Sequence, residues 1–434
     1  MEVWYNFCCF FKENRDRRCF PVESVKIFLR RYVAAILIGI LVGLVGVAFH
    51  LAIELATEAR LAHPWLLLFL PLGGAAIIRL YSACGMEKDR GTNLVLVAVR
   101  EHEPMRLRTA PLIFLSTALT HLVGGSSGRE GAALQLGASI SSKISHSMKL
   151  QANDGRILTV CGMAAAFSAL FGTPLAAAMF ALEVVHVGVL QYAALVPALV
   201  SSLTAYLLAG FFNVPPTAYA VSALPALSAA SLVQVTLLGA LCAVVSVLFC
   251  RSMHTAHHLY ERFLPNPYLR AAAGGGLVLV LTVAVGLIHG SALGYPIYNG
   301  AGGNLITAAI ELGQAMPWDF LLKILFTAAT LGAGFRGGEI VPTFAAGATF
   351  GCVAAPLLGL SPSFGGALGM VGLFCGVTNC PLTSILLAYE LFGGAGLSLF
   401  ALGIAVAYRL SGNSSLYAEQ RIVYSKFQPA PNGE

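Results

Sequence analysis

Residues 124–140 read Gly-Gly-Ser-Ser-Gly-Arg-Glu-Gly-Ala-Ala-Leu-Gln-Leu-Gly-Ala-Ser-Ile, and they set one ionisable acid, Glu130, among glycines where a small-residue helical pattern begins. Gly124, Gly125, Gly128 and Gly131 leave the backbone bare, so several amide N–H groups can face one point. A helix N-terminus of that kind attracts anions. The chemistry it suggests is an exchange: ionised Glu130 occupies the anion site itself, and a proton that neutralises it leaves the site to a free anion. An acid at mid-membrane depth costs roughly 2.5–3.5 kcal/mol on insertion scales and marks a proton or ion pathway. Pairing of Glu130 with Arg129 is not expected, because adjacent helical residues do not face one another. Arg129 is expected to pair elsewhere or to hold the loop.

Glu339, in Gly337-Gly338-Glu339-Ile340-Val341-Pro342, opens a second pattern of the same kind, or else is a loop acid facing water. Two buried carboxylates beside one anion site do not both ionise readily, so one of them stays protonated and can donate a hydrogen bond. Asn93 and Asn304 read equally as amide donors to an anion and as turn residues beside glycine. Glu183 and Glu390 close two matching helices and read as architecture. Tyr417 can return a phenol to the centre or sit at the membrane interface. Gly125-Ser126-Ser127-Gly128 matches the short Gly-x-Ser-Gly pattern of intramembrane serine proteases. The nearest base candidates, His121, His254 and His289, have no supporting motif, so an enzyme is not expected. The ten cysteines, scattered singly apart from Cys8-Cys9, show no metal-ligand spacing and read as buried thiols. Neither a metal nor a cofactor is called for.

The elements that must position these groups are membrane spans. Hydrophobic residues make up 57% of the 434 and charged residues only 11%, with a mean hydropathy of +0.78. That describes an all-α polytopic membrane protein rather than two or three soluble domains. Apolar stretches fall at about 33–55, 65–84, 109–123, 157–182, 190–212, 232–250, 271–290, 320–335, 340–360, 366–389 and 394–409. Several are broken by Gly and Pro, and broken helices are tolerated at membrane depth where they are buried in protein or line a cavity. The net charge of +6 is no nucleic-acid signal, since the basic residues lie at chain ends and loops. Lys12, Arg15, Arg17, Arg18, Lys26, Arg30 and Arg31 precede the first span and put the N-terminus in the cytoplasm, so a multi-pass protein of the inner (cytoplasmic) membrane is expected.

The order along the chain is a cytosolic amphipathic segment over 1–30, with Trp4, Tyr5, Phe7, Phe10 and Phe11 among basic residues, then a membrane repeat over 31–212. A linker over 213–230, with Pro215, Pro216 and Pro225, leads to a second repeat over 231–422 with a C-terminal helix, and a tail over 423–434. The repeat is explicit: Gly162, Met163, Phe167, Pro174, Leu175 and Glu183 recur as Gly369, Met370, Phe374, Pro381, Leu382 and Glu390, each pair 207 positions apart (369 minus 162). Gly91 to Val95 answers Gly302 to Ile306, and Gly128 to Gly137 answers Gly338 to Gly347. Duplicated transporters place substrate between repeats, near the midplane, at the ends of discontinuous helices.

At these residues the chain resembles the CLC family of anion channels and anion/proton antiporters, from about residue 31 to 422. Gly128-Arg129-Glu130-Gly131, followed by Gln135 and Gly137, resembles the family's gating-glutamate motif. Gly337 to Pro342 resembles its Gly-Ile-Phe-x-Pro loop, and Ser414-Ser415-Leu416-Tyr417 its central tyrosine. The resemblance implies a homodimer with one pathway per subunit, each an inverted repeat of broken and tilted helices. Val184 stands where chloride/proton exchangers carry an internal proton-transfer glutamate, Glu339 where they carry Ile, and Arg90 to Val95 where they carry Gly-Ser-Gly-Ile-Pro. These three departures resemble the fluoride-exporting branch, CLC-F, although Ala132 replaces the usual Pro. The expectation is therefore a fluoride/proton antiporter, with a chloride/proton exchanger or passive chloride channel as the alternative. Glu130 would be gate and proton carrier, with Glu339 coupling proton to anion. Gly128, Arg129, Gly131, Thr92, Asn93, Gly338, Ile340, Val341 and Tyr417 would line the anion site.

Overall fold

The computed structural model describes residues 22–87, 89–101, 105–148, 152–291, 293–294, 296–423 and 426. Most of the 1–30 segment, including its aromatic residues, lies outside them. The first half holds α1 (Val22–Ala62), α2 (Leu70–Ala83), α3 (Thr92–Glu101), α4 (Thr109–Leu122), α5 (Glu130–Ser147), α6 (Ala152–Phe171), α7 (Pro174–Glu183) and α8 (Leu195–Phe211). After residues without helix come α9 (Ala229–Phe263), α10 (Pro267–Ile288), α11 (Gly303–Ile310), α12 (Asp319–Gly332), α13 (Ile340–Leu357), α14 (Pro362–Thr378), α15 (Pro381–Phe392) and α16 (Leu397–Leu410). Among the described residues, seven helical stretches are long and apolar enough to cross a membrane, and there are shorter apolar helices besides.

Two apolar runs that read as single stretches are each two helices. The run 157–182 breaks between α6 and α7, where Gly172 is left-handed at φ +68° and Pro174 starts the next helix. The run 366–389 breaks at Asn379, left-handed at φ +60°, one residue before Cys380 caps Pro381. Proline cannot supply the N–H that would continue the first helix, and its fixed φ suits the first turn of the second.

These paired breaks produce an internal twofold arrangement. Glu183, at the C-terminus of α7, accepts from the N–H groups of Leu382 (3.1 Å) and Thr383 (2.9 Å) in the first turn of α15, and from the Thr383 hydroxyl (2.7 Å). Glu390, in the last turn of α15, accepts from Leu175 and Ala176 in the first turn of α7, both at 2.9 Å. Each helix caps the other, so the two run antiparallel and the repeat is inverted. The Glu183/Glu390 pair is architecture, as its matched spacing suggests.

Glycine lets the repeated helices touch. A Cβ on Gly137 would lie 2.1 Å from the Gly162 carbonyl, and one on Gly347 would lie 2.4 Å from that of Gly369, so α5 on α6 and α13 on α14 meet backbone to backbone. Between the halves, Phe167, Phe171, Phe344, Phe374 and Phe180 form a closed ring of aromatic contacts with centroids 4.7–5.9 Å apart. The C-terminal helix of the second repeat is α16; beyond it the chain runs in turns to β2 (Arg421–Ile422), which pairs in parallel with β1 (His186–Val187). Tyr417 rides on these turns.

Candidate functional site

The site is built where α5 and α13 begin. Their leading loops are tied by reciprocal backbone bonds, Gly128 N to Gly338 O (2.6 Å) and Gly338 N to Gly128 O (2.8 Å). A Cβ on Gly338 would sit 2.6 Å from Gly131 N and 3.0 Å from Glu130 N, so only glycine allows the two helix starts to come this close. The capping residues, Arg129 and Glu339, make no side-chain cap. The starts of the two helices thus lie side by side, and neither N-cap side chain fills their first amides, the arrangement that draws an anion.

Glu130 is fully buried. Its Oε2 accepts from the Arg129 N–H at 3.0 Å, and the carboxylate faces the backbone of Arg129, Glu130 and Val341. It therefore occupies amides that an anion would use. The other oxygen, Oε1, has no hydrogen-bond partner. Contrary to expectation, the Arg129 guanidinium lies beside it, Nε to Oε1 3.7 Å. The helical spacing rule fails here because Arg129 is the capping residue, outside the helix proper, and its side chain folds back. Arg129 also bonds elsewhere, as expected: Nη1 to His50 Nδ1 (2.8 Å) and Nη2 to the Leu170 carbonyl (3.4 Å).

Glu339 is half-buried and borders a cavity of about 730 Å3 shared with Tyr81, Asp89, Asn93, Arg336 and Glu419. Its Oε2 is buried without a partner, 3.6 Å from where a Cβ on Gly131 would lie. The Tyr417 hydroxyl is a third buried polar group with no partner, and the charges acting on it include Glu339 and Glu130. Its chain segment is pinned by Leu416 N to Val377 O (2.9 Å) and by Gln420 Nε2 to the carbonyls of Thr378 (2.7 Å) and Val184 (2.9 Å). Tyr417 is only 3% exposed, so it is no interface tyrosine.

Thr92 opens α3 and its hydroxyl reaches the Gly131 carbonyl at 3.4 Å, which brings the first loop to α5. Ile340 and Val341 are buried in the first turn of α13. Asn93 borders the cavity, and its Oδ1 accepts from Glu419 N at 3.1 Å, tying it to the Tyr417 segment. Its repeat mate Asn304 is exposed and donates to the Ile297 carbonyl, a turn role.

Other residues here went unread in the sequence. Lys323 on α12 is fully buried and donates to Ser126 Oγ (2.9 Å), Gly300 O (2.8 Å) and Tyr298 O (3.1 Å), fixing the loop ahead of α5. A lone lysine in the apolar run 320–335 was a signal of the same kind as Glu130. Ser126 also meets Thr327 Oγ1 at 3.0 Å, and neither it nor Ser127, whose hydroxyl has no partner, bonds a histidine. Arg336 pairs with Asp89 (3.3 Å) and stacks on Tyr81 (4.3 Å), contacts between distant segments that no local motif announces. All seven described cysteines are unpaired, six of them buried.

With this geometry in hand, the relatives are informative. The sequence profile of the family described as voltage gated chloride channel matches residues 73–412. A "chloride/fluoride channel protein" of Pseudomonas syringae pv. tomato is 35% identical over 399 residues, covering 91% of this chain and 87% of its own. An H(+)/Cl(-) exchange transporter of Vibrio cholerae is 29% identical, covering 89% and 87%. Among solved structures, a CLC-type fluoride/proton antiporter superposes with a TM-score of 0.86 at 32% identity, covering 91% of this chain and 98% of that one. A slow cyanobacterial Cl-/H+ antiporter, at 19% identity and a TM-score of 0.72, shares the fold. The chain belongs to the CLC family of anion channels and anion/proton exchangers.

Proposed function

We propose that the protein is a secondary active transporter that exports fluoride in exchange for inward-moving protons. The observation that carries the reading is a set of three buried, unpartnered oxygens, Glu130 Oε1, Glu339 Oε2 and Tyr417 Oη, two of them on the residues that begin α5 and cap α13. Fluoride is small and strongly hydrated, so its site must replace water with short hydrogen bonds. Backbone amides at 129–131 and 339–341, the Tyr417 hydroxyl, Asn93 and a protonated Glu339 form such a donor set.

Glu130 and fluoride compete for the same amides. Ionised, Glu130 holds them; protonated, it withdraws and fluoride takes its place, so proton and anion move in opposition. Position 184 carries valine, buried and without a titratable group. Proton delivery to both sides therefore runs through movement of Glu130 within the pathway, modulated by Glu339, which faces the cavity. The protein acts as a homodimer in the inner membrane with its N-terminus in the cytoplasm, and the two halves, 31–212 and 231–422, supply one pathway per subunit. Both the 32% identity to a fluoride/proton antiporter and the acid at Glu339 support the fluoride branch. The test is efflux from liposomes: fluoride leaving against proton uptake supports the reading, chloride leaving with proton uptake moves it to a chloride/proton exchanger, and flux that ignores the proton gradient makes the protein a channel.

A further inference from the structure

A line of charged and titratable groups, none of them bordering the Glu339 cavity, leads from the surface to Glu130. Glu54 on α1 has a side chain 55% exposed, and its Oε2 lies 3.6 Å from Nε2 of His50, one turn earlier and 12% exposed. His50 Nδ1 is 2.8 Å from Arg129 Nη1. Arg129 Nε is 3.7 Å from Oε1 of the fully buried Glu130. Side-chain exposure runs from 55% at Glu54 through 12% at His50 and 21% at Arg129 to 0% at Glu130. The groups facing His50 are Glu54 from its own helix and Arg129 from the start of α5; those facing Arg129 are Glu130, Glu54 and Tyr219.

The chemistry of these atoms fixes the state of the ring. A guanidinium only donates, so His50 Nδ1 must accept from Arg129, and the ring proton sits on Nε2, toward Glu54. His50 is therefore neutral in this arrangement. A second proton can add only at Nδ1, the atom that holds Arg129. When it adds, the acceptor is lost and two cations stand at hydrogen-bond distance. No covalent bond of Arg129 breaks; the guanidinium is displaced, and Glu130 loses the positive charge beside Oε1.

We propose that His50 is a positioning residue for the gate: its neutral ring holds Arg129 against Glu130, and a proton arriving past Glu54 releases Arg129 and with it the restraint on Glu130. This deepens the antiporter reading and rests on it for the role of Glu130. Transport then responds to two protonations on the Glu54 side, one at Glu130 and one at His50. The device explains why this arginine is tied to an imidazole: a carboxylate partner would hold Arg129 by its charge, whereas an imidazole that takes a second proton can no longer accept from it.

The test is the initial rate of fluoride efflux from proteoliposomes as the pH on the Glu54 side is lowered from about 8 to about 4, a range that extends below the ordinary histidine value. Wild type and His50→Asn are compared; asparagine keeps an acceptor near Nδ1 but takes no proton. One protonation changes the rate by at most about one decade per pH unit, and two coupled protonations exceed that. The expected result is a wild-type slope steeper than about one decade per unit that falls to one decade or less in His50→Asn, with the proton-to-fluoride ratio kept. A wild-type slope of one decade or less, or a variant as steep as wild type, overturns the proposal. Should His50→Asn fail to assemble, Glu54→Gln serves in its place, with the steep limb expected to move along the pH axis and an unmoved limb counting against the proposal. Fluoride flux without proton coupling in the wild type would instead sink the antiporter reading itself.

Discussion

The molecule holds two pairs of acids at helix starts, and they are used in opposite ways. Glu183 and Glu390 each face the first turn of the partner helix, and all four of their oxygens accept hydrogen bonds from it. Glu130 and Glu339 face the first turns of α5 and α13, yet each has one buried oxygen with no partner. The first pair satisfies helix ends permanently. The second leaves buried oxygens open, at a cost in stability. A buried acid is thus read by whether its lone pairs are filled, and burial alone does not separate the two roles.

Changes at the open pair should abolish coupling, and changes at the filled pair should lower stability. The largest effect is expected from Glu130→Ala: on the proposed mechanism, proton uptake during fluoride efflux should fall at least about 10-fold, to background, because the carboxylate proposed to compete with the anion is gone. Gly338→Ala should come next, since its Cβ would meet Gly131 N at 2.6 Å; the two helix starts must separate, and fluoride binding measured by calorimetry should be lost. Glu183→Ala should destabilise the fold by about 3 kcal/mol, read by denaturation in detergent, because a carboxylate's bonds to two amides are removed. Its proton-to-fluoride ratio should be unchanged. Tyr417→Phe removes one donor and should weaken fluoride binding by about 1 kcal/mol, roughly fivefold. Asn93→Ala should do least, since its oxygen is engaged with Glu419.

Much of this arrangement was legible in the residues themselves. Glu130 stands out because an acid among glycines in an apolar run is costly, and the repeat exposes itself through identities at one offset. The Glu183/Glu390 pair is legible for the same reason. The breaks at Gly172 and Asn379 were hidden inside continuous apolar runs, because hydropathy averages over the one left-handed residue that ends a helix. His50 and Arg129 lie 79 positions apart on different elements, so only the fold brings them together. The contact of Arg129 with Glu130 went unforeseen because the spacing rule for helix interiors was applied to a capping residue.

The most direct test compares the two pairs in one assay. Wild type, Glu130→Gln and Glu183→Gln would be reconstituted in liposomes, and fluoride efflux and external pH followed together. The account predicts proton uptake locked to fluoride efflux in wild type and in Glu183→Gln, and fluoride movement without proton uptake, or none at all, in Glu130→Gln. Intact coupling in Glu130→Gln, or coupling lost in a folded Glu183→Gln, would contradict it.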